Sequence, residues 1–567
     1  MKTKTSLGTI AAAILILIAP VSRAADNPNQ VPGAPTSPWG FGGGDWNLEA
    51  DIQMEAIGCH ENRTTFTNWE RVEPEPGKWN FEQMDANLKY LEEHKIRTGG
   101  WFFGSGWVNG KRTGGFPVRD LSGWSKYVTE VVKHANGRIK SWEVWNEPPN
   151  GGVNRKTAVQ DYPKIMQAAY NAAHAADPTC LVGIAAASNN VNFLDRVIKG
   201  GANGYFDYIT VHPYELLGTV LDNNGSEAVF MSIVPTLRKM LAERDPNRIN
   251  CPIVFTELGC DFKRQGGAIQ GQGLVKAYTL GIAQGVTCIH WFMARDAKGG
   301  SIDSGMGIIA GDGTPRPAFI GLGNMIKYLG QNPTYLGLVL FHEREYGFVF
   351  QGAEGPVLLT WAPKGDPAHV DFGQEVRIID PLTGQETKAS TYDLTVAPVI
   401  VLDVPEKLVA EAKAAKGKPF PWGGDYTDAK SVSITMGEHN IEKGLHTKAG
   451  DAIAKDVIAY GNGARPGDIG DSVTFMVDPN FLSYTTVPIE ISAVVRRDPN
   501  NSPAEIKLTY ESTSEFKTLP PEDVPDNKNW HTLKWRIDDA QFVSIWGFSF
   551  RFNNGPYYVQ SVTVTKL

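Results

Sequence analysis

The sequence predicts an α/β protein: a (β/α)8 barrel, then a small all-β unit, then a C-terminal β-sandwich of jelly-roll-like type. Two changes of pattern along the chain predict this organisation. Strand-like and helical runs alternate between residues 25 and 330, which is roughly the length that such a barrel uses. After residue 330 the helical runs stop, and short strand-like runs separated by turn residues replace them.

The barrel prediction rests on eight apolar or alternating runs, most of them followed by a stretch with helical periodicity. The strand-like runs are residues 39–42, 63–69, 96–103, 139–145, 181–186, 206–212, 253–257 and 288–292. In the helical run 81–95, Phe81, Met84, Leu88 and Leu91 recur on one face. The same pattern predicts helices at 157–176, 228–245, 274–285 and 317–329. Strand–helix alternation of this kind is typical of a TIM barrel, whose catalytic residues lie at the C-terminal ends of the strands.

Two β-rich units follow the barrel. Residues 331–405 are predicted to be a small all-β domain packed on the barrel, and residues 406–424 an Ala- and Lys-rich, partly helical linker. Residues 425–567 contain at least seven strand-like runs and are predicted to form the sandwich. Its tryptophans Trp530, Trp535 and Trp546 alternate within apolar runs, so we expect them in its core. Whether the sandwich binds carbohydrate stays open.

The first 24 residues are typical of a secretory signal peptide. Lys2 and Lys4 precede a short apolar run, and Ser22-Arg23-Ala24 precedes the expected cleavage site before Ala25. The run is too short to span a bilayer. We therefore expect a secreted or periplasmic protein without membrane contact once the signal is removed. The formal net charge of −8 argues against a nucleic-acid partner, which usually requires a basic surface.

The cysteines and glycines indicate neither a metal nor a cofactor. No Cys/His spacing is typical of a metal site, and the 60 glycines form no phosphate-binding motif after a strand. Most of the five cysteines lie in apolar runs and are expected to be buried thiols. Cys251 and Cys288 open two successive predicted strands, so a disulfide between them stays open.

Two glutamates at strand ends are the candidates for chemistry. Glu147 follows the fourth predicted strand and lies between Asn146 and Pro148, while Glu257 ends the seventh. Both therefore lie at the catalytic end of the predicted barrel. Two carboxyl groups are the minimum needed to cleave a glycosidic bond, one as the proton donor and the other as the nucleophile.

The tetrad of residues 145–148, Trp-Asn-Glu-Pro, resembles the signature of the clan A glycoside hydrolases, which are retaining (β/α)8 enzymes. Residues 255–259 resemble the clan's nucleophile segment on strand seven, and residues 69–81 are similar to a segment of family 39 and its relatives. The resemblance covers residues 39–330. It implies that Glu147 is the acid/base, that Glu257 is the nucleophile and that Asn146 holds the substrate hydroxyl at C2.

The resemblance also implies four further substrate-site residues. Arg63 resembles the strand-two arginine that lies beneath the nucleophile and keeps it ionised. Residues 211–214 resemble a strand-six segment in which an aromatic side chain hydrogen-bonds the nucleophile, and His212 and Tyr214 are both candidates. Trp291 resembles the aromatic residue that ends strand eight. We expect it to be a platform for the sugar rather than a core residue.

Together these residues predict a retaining β-glycoside hydrolase that cleaves a polysaccharide or oligosaccharide by double displacement. We expect Glu147 to begin protonated, with its pKa raised by the nearby carboxylate and by apolar walls. The alternative is a non-catalytic carbohydrate-binding protein on a barrel scaffold, because a fold alone does not establish a function. The sugar, the linkage, exo or endo action and the oligomeric state stay open.

Overall fold

The computed structural model describes residues 31–43, 48–223, 225–297, 305–342, 345–364, 368–437, 439–447, 465–466 and 473–567. The signal-peptide prediction falls on residues 1–24, which lie outside these ranges. Within the ranges, the helices are all too short or too polar to cross a bilayer.

Eight parallel strands close into a barrel in the order β1-β8-β7-β6-β5-β4-β3-β2, which confirms the predicted fold class. The strands are β1 Trp39–Gly42, β2 Glu61–Arg63, β3 Arg97–Phe102, β4 Ser141–Val144, β5 Leu181–Ala187, β6 Tyr208–His212, β7 Ile253–Leu258 and β8 Cys288–Trp291. Most of their side chains are buried, as expected for parallel strands that are covered on both faces.

Strand β2 differs most from its prediction. The strand is Glu61–Arg63, whereas the sequence pattern places it at 63–69. Phe66 and Trp69 are almost completely buried, but they lie in the segment after β2, where Trp69–Val72 is a short helix. These two residues are therefore apolar because they are buried in the segment after β2, and not because they belong to a strand. Arg63 consequently ends β2 instead of opening it, and so lies at the catalytic end of the barrel.

Helices surround the barrel. They are α1 Glu49–Ala56, α2 Trp69–Val72, α3 Glu82–Glu93, α4 Leu121–Ala135, α5 Ala158–Ala176, α6 Val191–Val197, α7 Tyr214–Leu221, α8 Glu227–Met231, α9 Ile233–Arg244, α10 Phe262–Gln265, α11 Gly267–Gln284 and α12 Pro317–Leu329. The predicted helix at 228–245 is divided between α8 and α9. The sequence analysis missed α4, although Trp124, Val128 and Val131 bury one of its faces at helical spacing.

The all-β unit is a six-stranded sheet. Its strands are Thr334–Leu340, Tyr346–Gln351, Pro356–Trp361, Ala368–Ile379, Glu386–Leu394 and Val399–Leu402. One face joins the barrel core, where Trp361 is fully buried and its indole Nε1 donates to Glu227 Oε1 at 2.7 Å. The helix α13, Glu406–Ala415, packs on the opposite face, and a Cβ on Gly337 would lie 1.7 Å from the carbonyl oxygen of Ala412. The helical part of the predicted linker is thus packed against the sheet.

The C-terminal unit is a sandwich of two antiparallel sheets around its own apolar core. Its strands are Ser431–Thr435, Ile441–Lys443, Leu445–Thr447, Arg465–Pro466, Val473–Val477, Ile489–Arg497, Ala504–Ile506, Leu508–Ser512, Glu515–Thr518, Glu522–Val524, His531–Ile537, Phe550–Phe552 and Tyr557–Lys566. The sandwich packs directly on the barrel, because Tyr484, Val543 and Ile545 are buried in the same apolar cluster as the barrel helices.

All five cysteines are buried free thiols, so the disulfide between Cys251 and Cys288 is not formed. In the strand register Cys288 pairs with Val254, three residues beyond Cys251. Three residues of extended chain place the two cysteines about 10 Å apart, too far for a disulfide. Burial raises the pKa of Cys251 to about 11, which keeps it a thiol at neutral pH.

Candidate active site

The acid/base segment leaves the barrel at the end of β4. Trp145 and Glu147 have left-handed backbone conformations, with φ of 70° and 51°, which residues other than glycine adopt rarely. The N–H of Ala187 donates to the carbonyl of Pro148 at 2.9 Å and so ties this turn to the end of β5. The turn brings the side chains of Asn146 and Glu147 into one polar network with residues of β2, β6 and β7.

Arg63 is the centre of that network. Its Nη1 donates to Glu257 Oε1 at 2.5 Å, and its Nη2 donates to Asn146 Oδ1 at 2.8 Å. The Nε donates to Glu143 Oε2 at 2.7 Å. Burial opposes the charge of the guanidinium, but the carboxylates of Glu143 and Glu257 outweigh it and raise the pKa of Arg63. Arg63 is therefore a permanent cation that stabilises the negative charge of Glu257, in the position that the sequence predicts.

His212, which ends β6, shares a proton with Glu147. Thr256 Oγ1 donates to Glu143 Oε1 at 3.0 Å and therefore accepts from Nε2 of His212 at 2.9 Å. The other ring nitrogen, Nδ1, lies 2.9 Å from Glu147 Oε1. Nε2 of His212 carries its own hydrogen. A hydrogen bond between Nδ1 of His212 and Oε1 of Glu147 therefore needs one further proton, which is bound either to the imidazole or to the carboxyl group.

Tyr214 is the aromatic residue that contacts the nucleophile candidate. Its hydroxyl donates to Glu257 Oε2 at 3.1 Å, whereas Nδ1 of His212 lies 3.7 Å from the same oxygen. Burial, followed by the charge of Glu257, raises the pKa of Tyr214 well above its ordinary value, so the hydroxyl stays a donor. The geometry thus separates the two candidates that the sequence analysis left open: Tyr214 contacts Glu257 and His212 contacts Glu147.

The two catalytic candidates lie close together. One carboxylate oxygen of Glu147, one of Glu257 and a ring nitrogen of His212 are all within 4.8 Å of one another. Retaining glycosidases need carboxyl groups about 5–5.5 Å apart, while inverting ones need about 6.5–9.5 Å to hold a water molecule between them. The nearest oxygens of the two carboxyl groups favour the retaining arrangement over the inverting one.

The predicted rise in the pKa of Glu147 is wrong for the free site. The hydrogen bond from His212 is the largest influence and lowers the pKa of Glu147, outweighing partial burial, which raises it. Burial lowers the pKa of His212, but the charge of Glu257 and the hydrogen bond to Glu147 raise it above the ordinary 6.5. The shared proton therefore rests on the imidazole in the free site. The sequence reasoning considered the neighbouring carboxylate and missed the imidazole.

The close grouping of Glu147, His212 and Glu257 also raises the question of a metal ion. Both nitrogens of His212 are committed to hydrogen bonds, Nδ1 with Glu147 and Nε2 with Thr256. The guanidinium of Arg63 is bonded to Glu257 and would repel a cation. This donor set favours a hydrogen-bonded proton-transfer site over a metal centre.

Glu143 is a functional-site residue that the sequence analysis missed. It lies on β4, it is 1% exposed, and its carboxylate accepts from Arg63, from Thr256 and from Thr210 Oγ1 at 2.8 Å. It positions Arg63 and, through Thr256, the ring of His212. The signal was present in the sequence, because a charged residue inside an apolar strand is rarely buried without a partner.

The platform prediction for Trp291 is wrong. The ring is completely buried, so it offers no face to a sugar. Trp291 ends β8 as predicted, but the surrounding chain covers it. The partly exposed ring of Trp101, at the end of β3, lies 5.1 Å from the guanidinium carbon of Arg63 and borders the site instead.

Residues 48–191 match the family described as Glycosyl hydrolase family 10, a segment that includes Glu147 and ends before Glu257. The barrel is a glycoside hydrolase domain. No curated protein matches the chain.

Solved structures resemble the glycoside hydrolase domain in fold. A family 39 glycoside hydrolase from the gut symbiont Bacteroides cellulosilyticus WH2 is 18% identical, with a TM-score of 0.53 over 64% of this chain and 81% of that chain. A family 39 β-xylosidase from Caulobacter crescentus is 16% identical, with a TM-score of 0.45 over 67% and 97%. The catalytic domain of a family 30 xylanase from Talaromyces cellulolyticus is 11% identical, with a TM-score of 0.44 over 65% and 98%. Together with the family match over residues 48–191, the barrel fold shared with the first of these structures confirms the resemblance to the clan A (β/α)8 glycoside hydrolases.

Proposed function

We propose that this protein is a secreted or periplasmic retaining β-glycoside hydrolase that acts on a polysaccharide or its oligosaccharides. The observation that carries the proposal is that a carboxylate oxygen of Glu147 and one of Glu257 lie within 4.8 Å of each other, while Arg63 is bonded to Glu257 and not to Glu147. One carboxylate is paired with a permanent cation, the other with a titratable imidazole. This asymmetry suits Glu257 to the role of nucleophile and Glu147 to the role of acid/base.

In the first step Glu257 attacks the anomeric carbon, and the bond from that carbon to the leaving oxygen breaks. Glu147 delivers the proton that it shares with His212 to that oxygen. In the second step Glu147 takes a proton from water, the water oxygen attacks the anomeric carbon, and the ester bond to Glu257 breaks. Oδ1 of Asn146 accepts a hydrogen bond from Arg63, which fixes the orientation of the amide. The NH₂ group of Asn146 then donates to the C2 hydroxyl of the sugar.

Substitution of the acid/base tests the assignment. Glu147→Gln should reduce kcat/KM for alkyl or saccharide leaving groups by about 10²–10⁴-fold and affect formation of the intermediate from dinitrophenyl glycosides far less, because that leaving group needs no proton. The matched control is Glu75→Gln, which changes an exposed glutamate paired with Lys78. Equal losses on both substrate types at the first step would contradict the role of Glu147.

Covalent trapping tests the nucleophile. A 2-deoxy-2-fluoro glycoside with an activated leaving group should accumulate the intermediate, and mass spectrometry should place the sugar on the peptide that contains Glu257. The first product should have the β configuration by NMR. A first-formed α anomer, or a label on another residue, would overturn the retaining mechanism. A screen of aryl β-glycosides and intact polysaccharides would identify the sugar.

A further inference from the structure

The side chain of Trp546 in the sandwich is the most exposed aromatic group in the described ranges, at 38%. The sequence analysis expected it in the sandwich core, and that expectation is wrong. Trp535 is 4% exposed, as expected of a core residue. Trp546 lies instead on the loop between two sandwich strands, at the tip of a turn closed by the N–H of Gly547 and the carbonyl of Ser544 at 3.0 Å.

This loop sits on the barrel mouth. The carbonyl of Ile545 lies 2.5 Å from Oγ of Ser188, the residue that follows β5, and the carbonyl of Val543 accepts from Nδ2 of Asn189 at 3.0 Å. On the other side of Trp546, a Cβ on Gly547 would lie 2.6 Å from Cγ2 of Thr219, which leaves room for glycine only. Both chain neighbours of Trp546 therefore touch segments that follow barrel strands.

Those barrel segments are the ones that carry the active site. Ser188 pairs with His212 in a β-bridge, and its Oγ lies 2.6 Å from a carboxylate oxygen of Glu215. Glu215 directly follows Tyr214, whose hydroxyl contacts Glu257. Ala187, which precedes Ser188, donates its N–H to the carbonyl of Pro148 in the acid/base turn. Trp546 thus lies on a loop that contacts the barrel segment joined both to the acid/base turn and to the helix that begins with Tyr214.

The loop is also built to hold its position. Glu511, which is fully buried, accepts from the backbone N–H groups of Val543 and Ser544 at 2.8 Å and from that of Ile545 at 2.5 Å. A fully buried carboxyl group that accepts three backbone hydrogen bonds fixes the backbone that precedes Trp546. An exposed indole on a fixed backbone loses little conformational freedom when it binds a ligand, so it is suited to recognition.

We propose that Trp546 forms a distal carbohydrate subsite on the leaving-group side of the active site, so that the sandwich completes the substrate cleft. The inference rests on the proposed function. Glu147 protonates the leaving oxygen, so the leaving saccharide extends past the acid/base turn, which Ala187 joins to the segment that this loop contacts. A flat apolar ring matches the face of a pyranose, which makes a sugar unit of the leaving saccharide the occupant.

The test compares two substrate lengths. Trp546→Ala, Trp546→Phe and the control Trp530→Ala would be assayed on 4-nitrophenyl β-D-xyloside and β-D-glucoside and on xylo- and cello-oligosaccharides of two to five units. In Trp546→Ala the ratio of kcat/KM on the longer oligosaccharides to that on the aryl glycoside should fall about tenfold, through KM, and Trp546→Phe should fall less. The control variant Trp530→Ala should leave this ratio unchanged, because Trp530 packs against Arg496 elsewhere in the sandwich.

Thermal unfolding of each variant would show that the fold is retained. An unchanged ratio in Trp546→Ala, whether both activities are retained or both fall equally, would overturn the subsite. Absence of hydrolysis by the unsubstituted protein on these substrates and on every aryl β-glycoside and polysaccharide of the screen would instead contradict the proposed function, so the two failures are distinguishable.

Discussion

Removal of His212 should displace the alkaline limb of the pH–activity profile. In the structure one proton is shared between Nδ1 of His212 and Glu147 Oε1, and the site keeps it until the pH passes the raised pKa of His212, above 6.5. In His212→Gln the last proton is lost from Glu147 alone. The hydrogen bond from His212 is the main cause that lowers the pKa of Glu147, so in the variant this pKa rises back toward its ordinary 4.5.

The magnitude follows from these two values. The alkaline limb of kcat/KM should move to lower pH by at least roughly 2 units, because an ordinary imidazole and an ordinary carboxyl group differ by about that much and the pKa of His212 is raised further. At a pH above both limbs the variant should lose at least about a hundredfold in kcat/KM relative to the unsubstituted protein. At acidic pH, where Glu147 is protonated in both proteins, the loss should be much smaller.

The assay is a pH profile of kcat/KM with an alkyl or saccharide leaving group, whose departure requires a proton. A dinitrophenyl glycoside is the internal control, since its rate should not follow this limb. Circular dichroism at each pH would confirm that the variant is folded. An alkaline limb at the same pH in both proteins would refute a proton shared between His212 and Glu147.

Three other outcomes are expected. Arg63→Leu should lower the free energy of unfolding by about 3–5 kcal/mol, measured by urea denaturation, because it leaves the buried Glu143 and the partly buried Glu257 without their cation; a change below 1 kcal/mol would contradict that pairing. Asn192→Ala, which removes donors to the carbonyls of Ser512 and Gln541, should cost about 1–3 kcal/mol and lower the melting temperature; an unchanged melting temperature would show that this contact is not needed. Deletion of residues 425–567 should lower the melting temperature of the barrel, because the sandwich supplies side chains to its core; an identical barrel transition would show that the sandwich is dispensable.

Much of the barrel could be predicted because each strand–helix unit is a local pattern. The runs that became β1, β5 and β8 lie within one residue of the observed strands, and Glu147 and Glu257 lie at the strand ends where the alternation places them. Hydrophobic periodicity is set by which face of an element is buried, and this is written into neighbouring residues. The mouth of a closed parallel barrel then collects the strand ends without further information.

Contacts between distant segments were not predictable in this way. Whether an apolar residue lies in a strand, under a loop or at the surface depends on the segments that pack over it. The local pattern therefore gave a wrong prediction for the strand position of Phe66 and for the exposure of Trp291 and Trp546. The sign of the pKa shift of Glu147 was also missed, because it depends on an imidazole 65 residues away along the chain.

Local patterns along the chain therefore predict the barrel, its two carboxylates and the two β-rich units after it. The partner of each carboxylate, and the contact of the loop around Trp546 with the barrel mouth, depend on the folded structure. Periodicity records burial along one element, whereas hydrogen bonds and charges act over a few ångströms between elements that come together only when the chain folds.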